Sequence, residues 1–81
     1  MTREQTVQIV KQVIADYLKV NKNELLEQDE LFEKLGIDSS GIVSLLLDIE
    51  VKCMVEFDME DLQPEHLSTI DSLVKYIQQL K

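Results

Sequence analysis

Cysteine, tryptophan, proline and glycine are nearly missing from this sequence: one Cys, no Trp, one Pro and two Gly in 81 residues. A single cysteine, Cys53, rules out an intrachain disulfide and a zinc site built on several thiolates, so nothing points to secretion. The scarcity of proline and glycine excludes a collagen-like or low-complexity chain and favours helix over sheet. Positive charge is in short supply too, with 8 Lys and Arg against 16 Asp and Glu, a formal net charge of -8. Such a chain is repelled by nucleic acid and by anionic membrane surfaces, and it suits protein partners that carry basic patches. Met1 is followed at once by polar residues, and no apolar run is long enough for a signal peptide or a membrane span. The expected address is the cytoplasm.

What is present is the composition of one compact domain, 44% apolar and 30% charged, expected to span residues 1–81. A chain of this length buries only about 60 to 65% of the surface it exposes when unfolded, too little to build a deep, walled active site. Apolar periodicity is helical. Thr2 can cap a first helix, with Gln5 reaching back as a capping box, and Val7, Val10, Ile14 and Tyr17 then mark its inner face to about Leu18. The pattern lapses from Val20 to Asp38, in Asn21-Lys22-Asn23 and a run of acids, although Leu31, Phe32 and Leu35 are apolar enough to fold back on a core. A structured loop with one short helical turn is expected there. A second helix starts at Asp38-Ser39 and runs to Cys53 or Met54; a third long one starts at Ser68-Thr69 and carries Ile70, Leu73, Val74, Ile77 and Leu80. Between them Pro64 suits the first position of a short helix. The expected fold is all-α, a four-helix bundle of three longer helices and one short one, with a long loop between the first and second.

The second helix carries more apolar residues than one buried stripe needs. Ile42, Leu45, Leu46, Ile49 and Cys53 follow core spacing, while Val43, Leu47 and Met54 form a second line beside it. Two readings stand: a central helix packed on both sides, or a docking surface beginning one turn past Ser39 and flanked by Ser44 and Glu50. No side chain elsewhere assembles a catalytic or metal centre. Cys53 reads as a small buried hydrophobe and His66 as a solvated or capping histidine. The acids Glu27, Asp29, Glu30 and Glu33 lack the order of a calcium loop. A hydrolytic nucleophile with a base in reach is not evident.

The most specific feature is Leu35-Gly36-Ile37-Asp38-Ser39-Ser40 at the start of the second helix. It resembles the attachment motif of the acyl, aryl and peptidyl carrier proteins, Leu-Gly-x-Asp-Ser-Leu. The likeness runs over nearly the whole chain, through Val55-Glu56-Phe57 to Leu67-Ser68-Thr69-Ile70. It implies an acyl-carrier-like bundle that is not an enzyme. Ser39 would take phosphopantetheine covalently from coenzyme A, and Asp38 would be recognised by the phosphopantetheinyl transferase. Acyl or aminoacyl groups would then ride as thioesters on the thiol of that arm. Other implied partners are acyl- or aminoacyl-loading and condensing enzymes of polyketide, nonribosomal peptide or fatty-acid type; a monomer is expected. Their docking would fall on Ser40, Val43, Leu47 and Glu50.

The chemistry suits the place, because a loop-to-helix junction exposes a hydroxyl and the positive end of the helix favours a phosphodiester. Taken without its surroundings, a serine after an aspartate at a helix start is only a cap worth about 1 kcal/mol. Two positions depart from the family pattern. Ser40 replaces the usual leucine, which alters docking, and Gly41 raises the cost of the first turn by up to about 1 kcal/mol against alanine, which favours mobility there. Ser44, Val51 and Lys52 break the row of acids typical of fatty-acid carriers. With Leu45-Leu46-Leu47 and Asp61-Leu62-Gln63-Pro64-Glu65-His66, they make the chain look closer to discrete secondary-metabolite or aminoacyl carriers. The alternative is an acidic helical interaction domain with no covalent arm.

Overall fold

A computed structural model describes residues 2–58 and 60–80. Among them lie three α-helices, α1 (Arg3–Leu18), α2 (Ser39–Cys53) and α3 (Ile70–Gln79), with 3-10 turns at Lys22–Glu24 and Pro64–Leu67. The fold is all-α, and the short fourth helix expected at Pro64 is a single 3-10 turn. Each boundary has a local cause. The Thr2 hydroxyl accepts from the Gln5 amide while the Gln5 side chain accepts from the Thr2 amide at 2.8 Å, the reciprocal box that starts α1. Both α1 and α2 end on a left-handed residue, Lys19 (φ 59) and Met54 (φ 57). Each is followed by a bond reaching back five residues, Val20 N–H to Ala15 O at 3.0 Å and Val55 N–H to Glu50 O at 3.2 Å.

The core is one cluster fed by all three α-helices and by the segments that connect them. Val10, Ile14, Leu31, Ile49, Ile70 and Ile77 are fully buried within it, and Cys53 lies there as a small hydrophobe. Tyr76 is buried too, its ring stacked with Phe57 (centroids 5.8 Å apart) and with His66 (4.5 Å). His66 keeps the capping role: its Nδ1 accepts the Gln63 N–H at 2.9 Å.

The long connection between α1 and α2 is stitched to the start of α3. Leu31 N–H donates to Ser68 O (3.1 Å), Ile70 N–H to Asp29 O (3.2 Å) and Asp71 N–H to Glu27 O (2.8 Å), around an isolated bridge between Glu30 and Thr69. Asp29 holds the loop from inside. Its carboxylate, buried, accepts from the Leu26 amide and from Lys34 Nζ, each at 2.9 Å. Burial pushes that carboxyl up, but the Leu26 N–H and the Lys34 ammonium outweigh it and hold it below the ordinary aspartate value. Arg3 adds a surface tie, reaching Glu27 at 2.6 Å and Asp71 at 2.5 Å. Hydrogen bonds from Lys75 and Arg3 hold Asp71 low as well, the Lys75 bond contributing most, against partial burial that raises it.

Two expectations about the core are corrected. Phe32 does not fold back with Leu31; it stays 42% exposed, because Leu31 takes the inward position and its neighbour in the turn points away. Tyr17 shares the inward azimuth of α1 yet is 43% exposed, since it stands on the last turn, where the bundle ends. Its phenol end packs against Gly41 in the first turn of α2 instead.

Candidate functional site

The site is built at the junction between the loop and α2. Gly36 turns the chain at φ 69, a left-handed value that favours glycine, and Ile37 next to it is buried and anchors the approach. Asp38 is the N-cap: its Oδ1 accepts the Gly41 N–H at 2.7 Å and the Ser40 hydroxyl at 3.2 Å. Ser39 is therefore the first helical residue, and its side chain is exposed. The first intrahelical bond runs from Ile42 N–H to Asp38 O at 2.9 Å, so the Ser39 and Ser40 amides precede the helical ladder. An exposed hydroxyl beside free amides at the positive end of a 15-residue helix is a place where an ester of phosphate is electrostatically welcome. The residues present thus fit a phosphodiester on Ser39.

Outward from this junction α2 shows an apolar line. Val43 is 45% exposed, Leu47 59%, Val51 76% and Met54 89%, while Ile42, Leu45, Leu46 and Ile49 face the core. The helix is not packed on both sides. Ser40 is exposed at the head of the line. Glu50, expected on its polar rim, is half-buried: its carboxylate accepts the Phe57 N–H at 2.6 Å and ties down the chain that follows α2. Val51 joins Val43, Leu47 and Met54 in the line, and its place four residues past Leu47 is the spacing that marks it. On the side toward α1, Tyr17, Asp16, Ser44, Leu47, Asp48 and Val51 border an open groove of about 570 Å³. Asp48 is paired there with Lys52 at 3.1 Å.

Residues 8–77 match the family model described as the phosphopantetheine attachment site. The chain belongs to that family of carrier proteins. It is 35% identical to the acyl carrier protein of Thermotoga maritima over 95% of this chain and 93% of that one. Identity to the acyl carrier protein of Exiguobacterium sibiricum is also 35%, over 96% of each chain, and to that of Wolinella succinogenes 33%, over 85% and 88%. A carrier of this family bears a covalently attached phosphopantetheine and is not a catalyst. Phosphopantetheinyl transferase and acyl-handling enzymes are the partners such a carrier meets. Among the described residues no helix is long and apolar enough to cross a membrane, and no cluster of His, Cys, Asp and Glu could hold a metal ion.

Proposed function

We propose that Ser39 is the residue that takes the phosphopantetheine and that the chain, acting as one monomeric domain over residues 1–81, presents acyl or aminoacyl thioesters in the cytoplasm. The observation that carries this is the exposed Ser39 hydroxyl at the first position of α2, behind an aspartate cap and inside the matched segment. In the transfer, Ser39 Oγ bonds to the phosphorus of coenzyme A that bears the pantetheine, and the anhydride bond from that phosphorus breaks. The adenosine bisphosphate leaves with the bonding pair, and the seryl proton passes to a base on the transferase. Asp38 does double service here, holding Ser39 in the first helical position and offering the transferase a carboxylate to recognise. The arm supplies the thiol; this chain supplies position.

Docking falls on Ser40, Val43 and Leu47, with Val51 extending the line and Glu50 at its inner edge. The pathway is of polyketide, nonribosomal peptide or fatty-acid type. The breaks in the acidic row at Ser44, Val51 and Lys52 favour the discrete carriers of the first two. Intact mass tests the assignment. Incubated with coenzyme A and a broad-specificity transferase, the protein should gain one phosphopantetheine; Ser39→Ala should gain none, and Ser40→Ala should still gain one. An unmodified parent protein under those conditions would leave an acidic interaction domain without an arm as the better reading.

A further inference from the structure

Gly41 has no room for a side chain, and what fills the room is Tyr17. A Cβ placed on Gly41 would overlap the Tyr17 hydroxyl, stand 2.8 Å from its Cζ and come within 3.0 Å of Asp38 Oδ1. The same Asp38 oxygen accepts the Gly41 N–H and the Ser40 hydroxyl. A phenol from α1, a glycine from α2 and the capping carboxylate therefore share one small volume at the turn that carries Ser39. The turn would otherwise be loose, because first turns fray and glycine is the poorest helix former after proline. Gly41 is nonetheless buried, and the contact across it comes from an aromatic ring that burial of the core does not require, since that ring is 43% exposed.

We infer that Tyr17 is a positioning residue for Ser39: its phenol end fills the space of the side chain that Gly41 lacks and braces the turn from Asp38 to Gly41, so that the Ser39 hydroxyl is held in one orientation for transfer. This rests on the reading of Ser39 as the attachment residue. Positioning of a nucleophile acts on the rate of the bound complex, whereas docking residues such as Val43 and Leu47 act on how well the carrier is bound. Glycine at 41 and tyrosine at 17 then form one device, and losing either loses it.

The test is steady-state kinetics of a phosphopantetheinyl transferase with coenzyme A on the whole protein and its variants, each melted first. Tyr17→Ala and Gly41→Ala should each lower kcat roughly tenfold and leave KM for the carrier within about twofold. The double variant should be no slower than either single one, because both remove the same contact. Tyr17→Phe, which keeps the ring but removes the hydroxyl nearest Gly41, should fall between the parent and Tyr17→Ala in kcat. Tyr17 is half exposed, so its variants remain informative even where Gly41→Ala melts early. A wild-type kcat for Tyr17→Ala, strictly multiplicative effects in the double variant, or a loss confined to KM overturns the inference. If the parent protein is modified at Ser39 and the Tyr17 variants keep its kcat, the inference alone falls. Mass gain in Ser39→Ala instead removes the reading beneath it.

Discussion

At the scale of single residues, the buried carboxylate of Asp29 shows how an acid-rich loop becomes an ordered one. Read as sequence, Asp29 is one of four acids between Glu27 and Glu33; in the fold it alone is buried, bonded to the Leu26 amide and to Lys34. Removing it strands that amide and unpairs the lysine, so Asp29→Ala should cost about 1 to 2 kcal/mol, measured by urea or thermal denaturation. Asp29 and Asp71 are both held below 3.8 in the fold. The unfolded chain then binds protons first as pH falls, so the stability these two carboxylates provide is complete above about pH 5 and is lost as pH drops through about 4 and below. A melting temperature that stays level from pH 7 to about 5 and then falls is the expected profile, and Asp29→Ala should flatten part of that fall. A profile already falling between pH 7 and 6 would place the titrating group elsewhere.

At the scale of the element, α2 has one buried and one exposed apolar face, and substitutions should separate what the two contribute. Ile49 is fully buried, so Ile49→Asp puts an unpaired charge in the core at a cost of several kcal/mol, in a domain whose whole stability is about 4 to 8 kcal/mol. Loss of the cooperative melt is the expected result. Val43 and Leu47 are 45% and 59% exposed, and Val43→Asp or Leu47→Asp should change stability by less than about 0.5 kcal/mol. The same two variants should slow modification or loading by a partner enzyme mainly through KM, because they remove apolar contact area. Normal melting with wild-type KM would show that this face docks nothing.

At the scale of the whole molecule, charge governs encounter. With a formal net charge of -8, the carrier is drawn toward basic surfaces over a range set by screening, about 8 to 10 Å at physiological salt. Association with the transferase should therefore slow as salt rises from about 0.05 to 0.5 M, with the dissociation rate much less affected. An association rate indifferent to salt would mean that the apolar line of α2 carries recognition unaided. How much of this protein is legible in its sequence depends on how local each feature is. The capping box of Thr2 and Gln5, the Asp38 cap, the bounds of α1 and α2 and the core face of α2 rest on contacts within a few residues, and spacing alone encodes them. The carrier motif around Ser39 is equally local. What spacing does not encode is where the bundle ends and what meets across it. Tyr17 has the azimuth of a core residue but stands on the last turn of α1 and packs against Gly41, and Phe32 sits beside a residue that takes the inward place. The Glu50 carboxylate bonds an amide seven residues on, and the first loop pairs with the start of α3 some forty positions away. Gly41 looks like a weak point in the first turn of α2 until the Tyr17 hydroxyl is seen to occupy the space beside it. Local hydrogen bonds and apolar period are properties of a chain segment; exposure at the end of a bundle and contact between distant segments exist only once the helices have packed.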